Sequence, residues 1–464
     1  MIALTLAEVA ELTGGRLEGD GGAVVTGGVT LDSRTVSAGD LFVAVAGERV
    51  DGHDFLAAAG AAGAVGALCG RPDPALACVV VTDPVDALGR LAAGVHARLT
   101  AGGLRTLALT GSSGKTSTKD LLGQVLATAG ATVSPPGSFN NDIGLPLTVL
   151  SADEGTQHLV LEMGARGIGH IARLCAVAHP QIGIVLNVGS AHLGEFGSAE
   201  VIAQAKGELV EALPAEGTAV LNADDPRVLG MASRTRAHVV TTGRGPDVDV
   251  RAADVALDDS ARARFTLVAA GEEHPVALRV VGEHQVANAL SAAAAAIAAG
   301  MVPADVATAL SAAGVQSRWR MEVDRRADGV TVVNDAYNAN PESMRAALAA
   351  VAGLPATRRI AVLGAMAELG PDGAAEHERL GRDAAAAGID LVVAVGPDAV
   401  GIADGAAAAG RRRGEESVVV PDRAAARQLL SEVLRPGDVV LVKASRAYRL
   451  ELLAADLLEA EDAR

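Results

Sequence analysis

The stretch LRTLALTGSSGKTSTKDLLGQVLATA, residues 104–129, decides the fold of the middle of this chain. A mostly apolar run over 104–109 precedes the glycines and small hydroxyl residues of 110–116, and apolar residues then recur at helical spacing over 121–126. The pattern predicts a buried strand, a tight glycine-rich turn and an amphipathic helix. Glycines let consecutive backbone N–H groups curl around a phosphate, and a helix N-terminus adds positive potential at the same point. We therefore predict a phosphate-binding loop that holds a nucleotide.

The residue types in this loop match the needs of a bound nucleoside triphosphate. The lysine reaches the terminal phosphates, and the hydroxyl of the next residue binds Mg²⁺. The strict pattern G-x-x-x-x-G-K-[ST] is not met, because Leu109 replaces its first glycine and the earlier glycine stands at 111. The alternative is an ordinary strand-to-helix turn. The predicted cofactor-binding residues are Gly111, Ser112, Ser113, Gly114, Lys115, Thr116 and Ser117, of which Lys115 is also catalytic and Thr116 also a metal ligand.

On both sides of the loop, apolar runs alternate with amphipathic segments. Strands that alternate with helices predict parallel sheets with right-handed crossovers. We predict an α/β protein with three domains: a small α/β domain over 1–99, a central P-loop ATPase domain with a parallel sheet over 100–314, and a Rossmann-like α/β domain over 315–464. Residues 55–67 are predicted to form a helix. Residues 286–304 are mostly Ala and predict a buried helix, since a membrane span needs about 20 strongly apolar residues.

Composition excludes several classes of function. With 39 Lys and Arg against 56 Asp and Glu, the formal charge of −17 argues against the basic face that nucleic acid requires. The three cysteines lack CxxC spacing, which predicts neither a disulfide framework nor a zinc site and suits the reducing cytosol. Glu8 and Glu11 interrupt the short apolar stretch at the N-terminus, which argues against a signal peptide. We expect a cytoplasmic monomer without a membrane span or a nucleic-acid partner.

Three polar residues stand where the predicted fold brings them towards the loop. Glu162 and His192 follow apolar strands, and ligands of open α/β sheets lie beyond the carboxyl ends of the strands. A carboxylate and an imidazole there can hold metal ions bound to the phosphates, although a strand-end cap is an equal alternative. Lys206 falls within the apolar arc of the helix predicted over 198–213. Burial lowers the pKa of a lysine and leaves a neutral amine able to react with CO₂, whereas the alternative is an ammonium group that reaches water.

Taken together, these motifs resemble those of the Mur ligases, the ATP-dependent amide-forming enzymes of peptidoglycan synthesis. The similar segments are TGSSGKT at 110–116, LEMGA at 161–165, NVGSAH at 187–192, AKGE at 205–208, GEHQVAN at 282–288 and RME at 320–322. The segment DAYNANP at 335–341 resembles the signature of the family member that adds D-alanyl-D-alanine. Two positions depart from the family pattern, because Gln285 replaces the usual Asn and Ala365 replaces a commonly acidic residue.

The resemblance implies a reaction and a set of functional residues. ATP phosphorylates the terminal carboxylate of UDP-N-acetylmuramoyl-tripeptide, the amine of D-Ala-D-Ala attacks the acyl phosphate, and Mg²⁺ assists. The implied catalytic residues are Lys115, Lys206, His192 and Arg320, and the implied metal ligands are Thr116, Glu162, His192 and a carbamylated Lys206. The further cofactor-binding residues are Asn288, Arg320, Asp335, Tyr337 and Asn338. The substrate-binding residues are Ser33, Arg34, Phe42, His53, Asn140 and Asn141.

Other functions remain open at this stage. The preceding ligase adds diaminopimelate or lysine, and its D-[DN]-P-R motif belongs in the third domain, whereas DDPR here, at 224–227, lies in the central one. A nucleotide-gated binding protein keeps the loop without ligase chemistry. Folylpolyglutamate synthetase shares the loop, but DSR at 32–34 and DGHDF at 51–55 do not fit its architecture.

Overall fold

The N-terminal unit is a small sheet flanked by helices. The computed structural model describes residues 1–189 and 193–459. The elements of the first unit are β1 (Leu4–Thr5), α1 (Leu6–Thr13), β2 (Arg16–Glu18), β3 (Val24–Val25), β4 (Val29–Thr30), β5 (Leu41–Val43), α2 (Leu56–Ala62), β6 (Gly66–Cys69), β7 (Cys78–Val80) and α3 (Pro84–Ala101). Strands β2-β7-β6-β5-β4 form one sheet in that order, in which only β2 runs antiparallel to its neighbour, and β1 pairs with β3. Helix α3 joins this unit to the next, because its apolar face belongs to a core shared by both.

The middle unit is built on a nine-stranded sheet. Its elements are β8 (Arg105–Thr110), α4 (Lys115–Ala127), β9 (Thr132–Val133), α5 (Gly144–Leu150), β10 (His158–Glu162), α6 (His170–Ala178), β11 (Ile182–Val185), α7 (Leu193–Phe196), α8 (Ala199–Glu211), β12 (Thr218–Asn222), α9 (Pro226–Leu229), β13 (His238–Gly243), β14 (Val250–Leu257), β15 (Arg262–Ala269), β16 (Glu272–Val281), α10 (Gln285–Ala298) and α11 (Pro303–Ala312). The strand order is β16-β15-β14-β13-β12-β11-β8-β10-β9. Strand β8, which leads into the phosphate loop, lies between β11 and β10, so the ends of those strands surround the loop.

The C-terminal unit has a six-stranded sheet with the order β17-β18-β22-β19-β20-β21. Its elements are β17 (Glu322–Arg325), β18 (Thr331–Asn334), α12 (Pro341–Ala352), β19 (Arg358–Gly364), α13 (Gly373–Ala386), β20 (Leu391–Val395), α14 (Val400–Ala408), β21 (Ser417–Val420), α15 (Arg423–Val433), β22 (Asp438–Lys443) and α16 (Glu451–Glu459). All strand pairs are parallel except β17 with β18. The three-unit α/β prediction is confirmed, and the exact domain limits at 99 and 314 stay predictions.

The strands on which the parallel-sheet prediction rested, β8, β10, β11 and β12, pair in parallel as predicted. The sheet also has an edge that was not predicted, where β15 runs antiparallel to β14 and to β16. Along β15 buried and less buried residues alternate, which is typical of antiparallel strands with one solvated face. The helix predicted over 55–67 is too long, since Gly63 takes a φ of +112° and ends α2, after which β6 begins.

The Ala-rich segment after residue 285 forms the buried helix that was predicted. Helix α10 is followed by a turn, and Pro303 begins α11. No helix within the described ranges has the length and apolar character needed to span a bilayer.

Candidate active site

The phosphate loop connects the carboxyl end of β8 to the first turn of α4, as predicted. Gly114 is the N-cap of α4 and has a φ of +78°, a conformation that favours glycine. A Cβ atom at this position would lie 2.4 Å from Oδ1 of Asn288 on α10, so the close approach also requires glycine. Ser117, in the same first turn, lines a small cleft with Gln285 and Arg320.

Asn187, two residues after β11, supports the loop from the neighbouring strand. Its Oδ1 accepts hydrogen bonds from the backbone N–H groups of Ser112 and Ser113, both at 2.9 Å, and its Nδ2 donates to the carbonyl of Ser113 at 3.2 Å. The N–H of Gly189 donates to Ser112 Oγ at 2.8 Å. A loop of this kind uses its backbone N–H groups to bind an anion. In this structure the neutral amide oxygen of Asn187 accepts hydrogen bonds from two of those groups. Sequence reasoning missed this residue, although its place directly after an apolar run marks it.

Glu162, the last residue of β10, is buried beside Thr116. Oε2 of Glu162 accepts a hydrogen bond from Thr116 Oγ1 at 2.9 Å. Oε1 accepts from Ser138 Oγ at 2.6 Å and from Asn140 Nδ2 at 2.7 Å. Neutral donors therefore hold a buried carboxylate against the loop, which suits a group that later meets a cation. Asn141 has a different part, because its Oδ1 accepts from Gly144 N–H at 2.8 Å and caps the start of α5.

Two lysines at the site have lowered pKa values. Lys115 Nζ donates to the Gly111 carbonyl at 2.7 Å, and desolvation, with the nearby Arg320 charge, lowers its pKa although Glu162 opposes the shift. Lys206 on α8 is buried, and desolvation together with the charge of Lys115 lowers its pKa well below 10.5. No hydrogen bond or ion pair joins the Lys206 amine to the part of the chain that the structure describes. The predicted burial of Lys206 is observed and its role stays a prediction, whereas His192 lies outside the described residues.

The C-terminal unit reaches the loop directly. Arg320 Nη2 donates to Thr116 Oγ1 at 3.0 Å, and its Cζ lies 4.1 Å from the ring centroid of Tyr337. Asn340, the N-cap of α12, donates from Nδ2 to the Ser112 carbonyl at 3.4 Å. Both contacts come from sequence segments that precede and follow the β17–β18 hairpin, so this hairpin presents them together.

Two other predicted residues, Asp335 and Asn338, hold the backbone around Arg320 and Tyr337 through contacts with Lys443 and Met321. Asp335 pairs with the buried Lys443 (Oδ2 to Nζ, 2.6 Å) and accepts from the Met321 N–H at 3.1 Å. The Lys443 ammonium also donates to the Asn338 carbonyl at 2.8 Å, and desolvation lowers its pKa against the opposing effect of Asp335. Asp335 and Asn338 therefore fix the segment that carries Arg320 and Tyr337.

The two departures from the family pattern have simple surroundings. Gln285 Oε1 accepts from Asn288 Nδ2 at 2.8 Å, so the glutamine orients the asparagine that packs on Gly114. Ala365 is buried at the end of β19, and its carbonyl accepts from the Ser445 N–H at 3.2 Å.

The predicted N-terminal residues form a second group, at the carboxyl edge of the small sheet. Arg34 follows β4 and is held by two bonds to Asp32, which lower the pKa of that carboxyl to about 2. His53 Nδ1 lies 2.6 Å from Asp51 Oδ1, and its Nε2 accepts from the N–H of Gly70, the residue after β6. Ser33 is partly exposed in the first of these turns. Phe42 is 1% exposed and its side chain belongs to the core of the small sheet, so any part it has in substrate binding, which stays a prediction, is through the shape of that core.

Family models match most of the chain. The model described as Mur ligase middle domain matches residues 109–296, the one described as Mur ligase, glutamate ligase domain matches 319–446, and the one described as Mur ligase family, catalytic domain matches 26–95.

Individual proteins are similar over the full length. The chain is 49% identical to UDP-N-acetylmuramoyl-tripeptide--D-alanyl-D-alanine ligase of Mycobacterium tuberculosis (strain ATCC 25618 / H37Rv), over 100% of the chain and 99% of that protein. A crystal structure of MurF from Acinetobacter baumannii has a TM-score of 0.88 at 32% identity, covering 98% of this chain and 99% of that one. MurF from Thermotoga maritima in complex with ADP has a TM-score of 0.80 at 31% identity, covering 94% and 98%. The similarity extends through all three units of the fold.

Proposed function

This chain belongs to the Mur ligase family, and we propose that it joins UDP-N-acetylmuramoyl-tripeptide to D-alanyl-D-alanine by an amide bond, with ATP as the energy source. One observation carries the proposal: two residues of the C-terminal unit contact the phosphate loop. They are Asn340, which lies inside the DAYNANP segment, and Arg320, which lies just before the β17–β18 hairpin. The segment that resembles the D-alanyl-D-alanine signature and the predicted nucleotide site are therefore parts of a single site.

The reaction begins when a carboxylate oxygen of the tripeptide attacks the γ-phosphorus of ATP and ADP leaves. The amine of D-Ala-D-Ala then attacks the acyl phosphate carbon, and loss of phosphate and a proton completes the amide. Lys115 and Arg320 lie beside the loop and stabilise the charge that develops on the transferred phosphoryl group. Since an acyl phosphate hydrolyses in water, the C-terminal unit must cover the site during the reaction.

A Mg²⁺ site fits the residues at the mouth of the loop. The hydroxyl of Thr116 and the carboxylate of Glu162 place two oxygen atoms 2.9 Å apart, and Mg²⁺ prefers a few such ligands together with phosphate oxygens. When bound, Mg²⁺ supplies positive charge that favours transfer of the phosphoryl group. We assign Thr116 and Glu162 to this ion, and His192 and Lys206 to a second metal position as predictions from the family resemblance.

Lys206 supplies an oxygen ligand only if it is modified. Its buried amine, with a lowered pKa, attacks CO₂ through nitrogen, forms an N–C bond and releases a proton, which leaves an anionic carbamate. A mass increase of one CO₂, retained at Lys206 in native spectra and absent from Lys206→Ala, tests this step. Lys206→Ala is expected to lose most activity, and full activity in this variant would remove the carbamate from the mechanism.

The remaining assignments follow the same division of the site. We assign the adenine end of ATP to Asn288 and Ser117 at the cleft beside α10, and its phosphates to residues 111–116 with Arg320. Tyr337, Asp335 and Asn338 act on the nucleotide side through the placement of Arg320. Ser33, Arg34 and His53 are assigned to the UDP group, and Asn140 and Asn141 to the sugar-peptide part. The cytoplasmic location and the monomeric state stay predictions.

A coupled assay of phosphate release tests the proposed function. Release that requires ATP, UDP-N-acetylmuramoyl-tripeptide and D-Ala-D-Ala together supports it, and Lys115→Met serves as the inactive control. Incorporation of diaminopimelate or lysine into the UDP-dipeptide, without use of D-Ala-D-Ala, would reassign the chain to the preceding step. ATP binding without turnover on any substrate pair would instead indicate a nucleotide-gated binding protein.

A further inference from the structure

We propose that Arg446 is a positioning residue that orients Arg320 through a row of stacked side chains. The row runs Arg446, Trp319, Tyr337, Arg320 and ends at Thr116. The inference rests on the proposed function, because it assigns Arg446 a part in phosphoryl transfer.

Hydrogen bonds alone do not fix the plane of the Arg320 guanidinium. Its Nη2 donates to Thr116 Oγ1, whereas its Nε is buried without a hydrogen-bond partner in the described structure. The face of Tyr337, with its centroid 4.1 Å from Arg320 Cζ, supplies the missing constraint. A guanidinium over an aromatic face is attracted by the ring quadrupole, so the orientation of Tyr337 controls that of Arg320.

The row continues away from the loop. Trp319 stacks on Tyr337 with ring centroids 6.5 Å apart and an angle of 26° between planes, and Arg446 Cζ lies 4.3 Å from the Trp319 centroid. Arg446 is itself anchored, because its Nη1 pairs at 2.7 Å with Oε1 of Glu451, a buried residue at the start of α16. One end of the row is thus fixed by the ion pair with Glu451, and at the other end Arg320 meets the phosphate loop.

The backbone beside Arg320 shows that its placement needs support. Trp319 has a φ of +60° and Met321 a φ of +50°, and a non-glycine residue in this region is strained. Two hydrogen bonds oppose relaxation: the Tyr337 N–H donates to the Trp319 carbonyl, and the Met321 N–H donates to Asp335. Removal of Arg446 frees one face of Trp319 and lets this strained turn relax, which moves Arg320 away from Thr116.

The test compares Arg446→Ala, Arg446→Lys and a matched surface control, Arg427→Ala, in the full-length protein. We expect Arg446→Ala to lower kcat by about twofold to thirtyfold, the range of one cation–π contact, with KM for D-Ala-D-Ala unchanged. Arg446→Lys keeps a cation over Trp319 and regains part of the loss, and Arg427→Ala, on the exposed surface of α15, matches the wild type.

A double-mutant cycle decides whether the effect passes through the row. In a Tyr337→Leu background, Arg446→Ala should cost nothing further, because the row is already broken. Trp319 is the only tryptophan of the chain, so acrylamide quenching of its fluorescence reports the row independently of turnover and should increase in Arg446→Ala. Additive losses, a raised KM for D-Ala-D-Ala at constant kcat, or unchanged quenching would overturn the inference. An inactive wild type with increased quenching in the variant would remove only the proposed function.

Discussion

The substitution Gly114→Ala tests the geometry of the phosphate loop most directly. Gly114 has a φ of +78°, and a Cβ atom there would lie 2.4 Å from Asn288 Oδ1. The left-handed conformation costs an L-residue about 1–2 kcal/mol. Relief of the overlap requires Asn288 to turn away, which breaks its buried bond to Gln285 and costs about 1–3 kcal/mol more. We therefore expect a loss of about 2–5 kcal/mol in the free energy of unfolding.

Gly14→Ala is the matched control for this experiment. Gly14 ends α1 with a φ of +67°, and a Cβ atom there would meet no atom within 4 Å. This variant should show only the conformational cost of about 1–2 kcal/mol, so the difference between the two isolates the contact with Asn288. Urea unfolding followed by circular dichroism measures both.

Nucleotide binding gives the second readout. Titration with a non-cleavable ATP analogue should show at least about tenfold weaker binding for Gly114→Ala, because the displaced Asn288 and the shifted N–H groups belong to the proposed site. Gly14→Ala should bind like the wild type. Equal stabilities for the two variants, together with unchanged binding in Gly114→Ala, would refute the geometry of the loop.

Three further changes test other parts of the site. In bicarbonate-free buffer the free energy of unfolding should rise with pH between the lowered pKa of Lys206 and 10.5, because over that range the unfolded chain binds a proton that the folded chain does not. Lys206→Met should flatten this slope, and an unchanged slope would contradict a buried neutral amine. Lys443→Met leaves Asp335 buried without its partner and should lower the free energy of unfolding in urea by about 3–5 kcal/mol. The double variant Lys443→Met/Asp335→Asn should regain part of that stability, and an equal loss in both variants would argue against the ion pair. Asn187→Asp keeps the acceptor oxygen at Ser112 and Ser113 but adds negative charge beside the phosphates, so analogue binding should weaken about tenfold, and full affinity would mean that Asn187 lies outside the site.

Much of the fold could be predicted because its signals are local. The strand before the loop, the helix after it and the strand ending at Glu162 follow from apolar periodicity within a few residues. The antiparallel edge β14–β16 was missed because a strand's neighbours, parallel or antiparallel, are set by tertiary pairing and not by its own pattern. The burial of Phe42 was likewise missed, since a short strand does not reveal which of its faces the neighbouring elements cover.

The sequence singles out candidate residues where one motif carries a whole function and passes over those whose contacts join distant segments. The burial of Lys206 was predicted correctly because a charged residue inside an apolar arc conflicts with the helical pattern. Ser138 and Asn187 were passed over because their partners, Glu162 and the loop, lie far from them in the sequence, and the fold brings them together. The row from Arg446 to Arg320 joins residues more than a hundred positions apart, so no local pattern announces it.

The charges at the site suggest the order in which its parts are completed. Desolvation lowers the pKa of both Lys115 and Lys206, the charge of Arg320 adds to the shift at Lys115 and that of Lys115 to the shift at Lys206, and Glu162 opposes the shift at Lys115. A bound triphosphate would raise those pKa values, because opposite charge favours the protonated amine. Protonated Lys206 cannot attack CO₂, so the proposed carbamate forms most readily before the nucleotide arrives. Once formed, it replaces a buried neutral amine by a negative group and leaves Lys115 and Arg320 as the cations that meet the phosphates.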